Sequence, residues 1–145
     1  VAEETARLMD SFPIVYEPAK ADVSDPMAIA DLFAGILGRF GKIDVVIANA
    51  GIEIVDKPFT DYSEADFDKI YSLNVKGTFF GMQHAAKYVV DGGRIILISS
   101  TQSLNAETGA AIYASSKSAG KKFVDILSKE LGQDALLLTQ LCQGS

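Results

Sequence analysis

Two short apolar runs, Ile43-Asp44-Val45-Val46-Ile47-Ala48 and Ile95-Ile96-Leu97-Ile98, restrict the fold more than anything else in the chain. Neither alternates polar with apolar, as a strand with one wet face does. Each reads as a strand covered on both faces, the kind that fills a parallel sheet. The stretches around them repeat instead with helical period. Ile29, Leu32, Phe33, Ile36 and Leu37 precede the first run, with Asp25 expected as N-cap, Pro26 as first helical residue and Gly41 as the stop. Between the runs, Ser63 and Asp66 resemble a capping box with Asp in place of Glu or Gln. The helix that follows puts Phe67, Ile70, Tyr71 and Asn74 on one stripe, and Gly92-Gly93 is expected to end it. A helix from Tyr113 to Leu131, rich in small residues in its first half, and an apolar strand from Ala135 to Leu141 complete the pattern. Strand alternating with helix is the signature of an α/β domain: a parallel sheet with helices on both faces.

At 145 residues and 48% apolar content, the chain is one domain, or part of a larger one, able to bury a real core. A net charge of -6 without any lysine and arginine cluster argues against a nucleic-acid surface. A single cysteine, Cys142, excludes an internal disulfide and a cysteine-rich zinc site and is compatible with a reducing compartment. No apolar run approaches membrane-spanning length and no signal peptide is read, so the expected location is the cytoplasm, with no membrane partner. The first residue is Val1 and the first ten already read as helix, which suggests a processed chain or a fragment. Residues 14 to 23 then run extended, interrupted by Pro18, to Asp22-Val23.

Ligands of open parallel sheets bind beyond the carboxyl ends of the strands. Those ends are Asp22-Val23, Asn49-Ala50-Gly51 and Ser99-Ser100. Asp22 offers an acceptor for a base amino group, or else caps a loop. Gly51 permits a close backbone approach, or else an ordinary turn. Asn74, a polar residue on an apolar stripe, must find hydrogen-bond partners. Tyr113 and Lys117 stand four apart and share one helical face. An ammonium about 5 Å from a phenol favours the phenolate by roughly 3 kcal/mol at an effective dielectric near 20, enough for proton exchange close to neutrality. Five tyrosines and ten lysines give about a third of one such pair by chance. A decoy with the same spacing, Tyr16 to Lys20, contains Pro18, which breaks a helix.

The joint pattern is far more specific. Asn49-Ala50-Gly51 after a strand, Asn74-Val75-x-Gly77 in the next helix, Ile98-Ser99-Ser100 ending the next strand and Tyr113-x-x-x-Lys117 resemble, in order and spacing, the short-chain dehydrogenase/reductase family. The likeness runs from Asp22-Val23 to about Leu131, and the interval from Ser100 to Tyr113 fits the second serine as the family's catalytic one. The resemblance implies a partial Rossmann-type domain, from the helix before strand 3 to about strand 6, and an oxidoreductase that moves hydride between NAD or NADP and a secondary alcohol or ketone. Tyr113 would be the acid or base, Lys117 would favour its phenolate and bind the nicotinamide ribose, and Ser100 would donate to the substrate oxygen. Asn74 would hold a water linking Lys117 to solvent. Asp22 and Val23 would flank the adenine, while Asn49, Ala50 and Gly51 would line the ribose. By the same resemblance, the helices from Ser63 and Tyr113 would pair copies into dimers or tetramers.

Three features depart from the family pattern. The Gly-rich phosphate loop and its strand are absent, so strand 3, near Ala19 to Val23, has no neighbour to pair with, and the chain is read as part of a longer protein. Ala48 replaces a usual asparagine, and Thr139 and Gln143-Gly144 stand where Asn and Pro-Gly are usual. Other chemistries fit less well. His84 is the only histidine, lies inside a helix and has no Gly-x-Ser-x-Gly partner; its default role is helix packing or a surface position. No ligand cluster for a metal is spaced usably. An extended-type sugar-nucleotide epimerase shares the Tyr-Lys pair, but Asn49-Ala50-Gly51 and the Ser100 spacing favour the shorter oxidoreductase. The rival from another class is a catalytically inactive fragment or pseudoenzyme acting only through oligomer contacts.

Overall fold

The computed structural model describes residues 7–9, 12–132 and 140–143. The elements are α1 (Pro26–Phe40), β1 (Ile43–Ala48), α2 (Glu64–Tyr71), a π-helical turn (Ser72–Gly77), α3 (Thr78–Tyr88), β2 (Val89–Ser100), α4 (Ala111–Glu130) and β3 (Gln140–Gln143). The three strands form one parallel sheet in the order β1-β2-β3. Residues 7–9 are helical; the rest of the expected N-terminal helix and the strand residues before Gln140 lie outside the described residues.

Local signals place the ends of α1 and α2. Asp25 caps α1 by accepting from the Met27 N–H at 2.9 Å, Pro26 occupies the first turn, and Gly41 ends the helix in the left-handed region. Ser63 and Asp66 close the capping box of α2 reciprocally. Ile29 and Phe33 from α1, Ile43 from β1, Ala85 from α3 and Ile95 from β2 form the core. Burial of each large aliphatic or aromatic side chain there contributes roughly 1.5–3 kcal/mol. His84 packs between Phe33 and Tyr88, with ring centroids 5.4 and 5.9 Å away, so it serves helix packing.

Four features differ from the sequence expectation. Gly92-Gly93 does not end the helix: α3 already stops at Tyr88, and Gly92, at a φ of 75°, lies within β2. The ladder there jumps from Ile43 opposite Val89 to Val45 opposite Arg94, so the glycines turn an excursion of the strand rather than cap a helix. Residues 14 to 22 pair with no described strand, although α1 lies beside them through the Arg39–Glu17 ion pair, and the Tyr16 to Lys20 decoy is non-helical. The helices α1, α3 and α4 pack side by side on the sheet, and Val45 and Ile47, which point the other way from Val46, are 51% and 59% exposed. Cover among the described residues is therefore one-sided. The π-helical turn joins α2 to α3 around Asn74 and shifts the phase of the stripe, leaving Ile70 and Asn74 buried and Phe67 half exposed. No helix among the described residues is long and apolar enough to cross a membrane.

Candidate active site

A cleft of about 480 Å³ opens at the carboxyl ends of β1 and β2, lined by Asn49, Gly51, Ser99, Tyr113 and Lys117, with Glu53 and Lys69 beside them. The strands deliver Asn49-Gly51 and Ser99; α4 delivers Tyr113 and Lys117 one turn apart. Lys117 Nζ lies 5.7 Å from the centroid of the Tyr113 ring. The half-buried lysine is drawn below its ordinary value by loss of solvent, an effect partly offset by the negative charge of Glu53.

Gly51 makes room for that ammonium. A methyl group on residue 51 would lie 2.8 Å from Lys117 Nζ. The obstructed atom is the end of a flexible chain, so Gly51→Ala should leave the thermal midpoint of the full-length protein within a few degrees while lowering kcat/KM roughly tenfold or more by displacing the ammonium. Unchanged kinetics would remove Lys117's present position from the account.

Asn74 is 3% exposed, and its hydrogen bonds hold the cleft's floor together. Its Oδ1 accepts from the Ile52 N–H at 2.9 Å, and its Nδ2 donates to the Ile52 carbonyl at 2.8 Å and to Ser116 Oγ at 3.0 Å. Ser116, fully buried, donates its own hydrogen bond to the Tyr113 carbonyl at 2.7 Å. The loop after β1 is thus tied, through Asn74 and Ser116, to the turn of α4 that bears Tyr113.

Ser100, Val23, Ala50 and Asp22 are not among the residues that line this cleft. Ser100 is buried at the end of β2 and accepts from the Gln102 N–H at 3.3 Å; its neighbour Ser99 lines the cleft instead. Val23, Asn49 and Ala50 share a smaller apolar cavity of about 150 Å³ with Gly77, where a methyl group would lie 2.5 Å from the Val23 carbonyl oxygen. Asn49 belongs to both cavities and joins them. Asp22 is exposed, and its Oδ1 accepts from the side chain and the N–H of Ser24, which hold its carboxyl below the usual carboxylate range.

Sequence reasoning named Ser99 as a strand end but preferred Ser100, and gave no role to Glu53, Lys69 or Ser116. Ser116 could have been found as a polar residue at the i+3 position from Tyr113. Glu53 and Lys69 carry no local signal, since only the fold brings them to the cleft.

The sequence profile of the short chain dehydrogenase family matches residues 2–145. The chain belongs to the short-chain dehydrogenase family. It is 33% identical over 126 residues to the hydroxynaphthalene reductase-like protein Arp2 of Metarhizium brunneum, covering 86% of this chain and 47% of that protein. Identity to the short chain dehydrogenase claC of Passalora fulva is the same, 33%, with the same coverage of 86% and 47%. The chain therefore spans about half the length of these curated relatives. Among solved structures, a short-chain dehydrogenase/reductase from Serratia marcescens superimposes with a TM-score of 0.91 at 29% identity, over 99% of this chain and 58% of that one. A putative dehydrogenase from Burkholderia cenocepacia with bound NADP gives 0.90 at 30% identity, over 97% and 53%. These folds make the sheet described above a partial Rossmann-like one. No group of three or more potential metal ligands occurs among the described residues.

Proposed function

We propose that the full-length protein is an NAD(P)-dependent oxidoreductase acting on a secondary alcohol or ketone, with Tyr113 as its acid or base. The observation that carries this is the meeting of Tyr113, Lys117 and the Asn49-Gly51 strand end in one cleft. When bound, the nicotinamide cofactor supplies or accepts the hydride. The residues present fit a ribose-bearing ligand: Lys117 offers a donor above Gly51, and Ser99 keeps a buried hydroxyl with no partner among the described residues. Asn49, Ala50, Gly51 and Lys117 would hold the nicotinamide ribose. Val23 would flank the adenine, and because both Ser24 contacts go to Asp22 Oδ1, Oδ2 is the acceptor left for its amino group.

Tyr113 gives its proton to the substrate oxygen during reduction and takes one back during oxidation. Lys117 holds its ammonium 5.7 Å from the centroid of the Tyr113 ring. Ser100 would donate to the same substrate oxygen: it accepts from Gln102 and so keeps its own proton, but its hydroxyl must turn toward the cleft that Ser99 lines. Asn74 Oδ1 accepts one bond, and its second lone pair would take the water linking Lys117 to solvent. A cytoplasmic setting fits the single cysteine.

The groove between α3 and α4, lined by Phe79, Met82, Phe123 and Ile126, supports association into a homodimer or homotetramer. Phe79 and Ile126 are 43% and 48% exposed there.

The relatives' naming makes bicyclic aromatic ketones the first compounds to try. Full-length protein mixed with NADH or NADPH and such ketones should lose the reduced-nicotinamide absorbance. Binding of cofactor without turnover of any carbonyl compound would favour the pseudoenzyme instead.

A further inference from the structure

The loop after β1 and the loop before α4 meet at Gly109. The Gly109 carbonyl accepts from the Tyr62 hydroxyl at 2.7 Å and from the Lys57 N–H at 3.3 Å. The same hydroxyl is 3.1 Å from the Ile54 carbonyl, but a phenol has one proton and the shorter contact takes it. Lys57 turns its side chain the other way, with Nζ 2.5 Å from Asp66 Oδ2 and 5.7 Å from the Tyr62 ring centroid. Asp66 in turn closes the capping box with Ser63, so the network is anchored on the first turn of α2.

The backbones at this meeting point are pressed together. Asp56, at a φ of 58°, is the only non-glycine among the described residues in the left-handed region, and it faces Gly109, at a φ of 81°. A methyl group on Gly109 would lie 3.1 Å from Asp56 Cα and 3.2 Å from the Asp56 and Lys57 nitrogens. A non-glycine residue stays in that region only where its surroundings over-determine it. Gly109 also lies just before Ala110, the N-cap of α4, and that cap has no side-chain hydrogen bond. The start of the helix that carries Tyr113 is therefore held from outside the helix.

We propose that Tyr62 is a positioning residue: with Lys57 it straps the loop of residues 52–62 to Gly109 and so fixes the turn from which α4 carries Tyr113 into the cleft. The strap itself rests on the geometry; its effect on turnover rests on the oxidoreductase reading. The test is Tyr62→Phe in the full-length protein, which removes the hydroxyl and keeps the ring against Lys57. Amide exchange at Lys57, bonded to Gly109, and at Ala114, bonded to Ala110, should quicken roughly three- to tenfold, the worth of one net hydrogen bond. In the same variant kcat/KM for a ketone should fall about tenfold while the cofactor Kd is unchanged. Tyr71→Phe is the control, because it removes a different phenol bond to α4, 3.0 Å to Ser115 Oγ, and should leave exchange at Lys57 unaltered. Unchanged exchange in Tyr62→Phe, or equal acceleration in Tyr71→Phe, would overturn the strap. Faster exchange with unaltered kcat/KM in an active enzyme would overturn the positioning role. Exchange needs no substrate, so a wild-type protein without turnover would sink the oxidoreductase reading and still leave the strap decided.

Discussion

Tyr113→Phe in the full-length protein should lower kcat roughly 10²- to 10⁴-fold, the range that a positioned general acid or base supplies. The ring remains to pack as before, and Ser116 still bonds to the backbone carbonyl of residue 113 rather than to its side chain. The variant should thus unfold at the same temperature and bind cofactor with the same Kd, which calorimetry and fluorescence titration measure. A loss of activity accompanied by a lower melting temperature would mean that the phenol serves packing, and retained turnover would end its assignment as acid or base.

Lys117→Met should cost roughly 10²-fold or more in kcat, because it removes the ammonium held 5.7 Å from the Tyr113 ring centroid. Its effect on stability should run the other way. Burial draws the ammonium below lysine's ordinary value, so in the folded state the charged form is disfavoured. Between the folded and unfolded values the unfolded chain binds more protons, and stability rises with pH; below both, the folded state carries the full cost of the buried charge. Methionine keeps most of the apolar stem without that cost. The variant should be as stable as wild type at pH 7, or slightly more so, while being nearly inactive. The wild-type rate should also decline on the alkaline side below lysine's ordinary value, as the ammonium is lost, and a pH-rate profile checks this. Glu53 sets the margin, since its charge alone pushes Lys117 back up.

Much of this was legible because the signals are local. Asp25, Pro26 and Gly41 bound α1 through cap chemistry that acts within one turn. Ser63 and Asp66 do the same for α2, and the two short apolar runs form the strands β1 and β2. What was not legible depends on partners far along the chain. The Gly92-Gly93 pair looks like a helix terminator in sequence, and only the pairing of Arg94 with Val45 shows that it sits within a strand. The polar residue on an apolar stripe, Asn74, announced that partners were needed. It could not say that they would be Ile52 and Ser116, or that a π-helical turn would present it to them. The serine pair shows the same limit: adjacent residues on a strand point to opposite faces, and Ser99 lines the cleft where Ser100 caps a turn. Tyr62 carries no signal at all, since its acceptor, Gly109, lies 47 residues away.

The central claim is that Tyr113 passes a proton to a substrate oxygen while hydride moves from a cofactor held at Asn49-Gly51. The most direct measurement follows deuterium from nicotinamide cofactor labelled at C4 into a panel of cyclic and aryl ketones, using full-length wild type and Tyr113→Phe. The account predicts label on the carbinol carbon with wild type and its near disappearance with Tyr113→Phe. Equal transfer by the variant, or none by wild type across the panel, would contradict it.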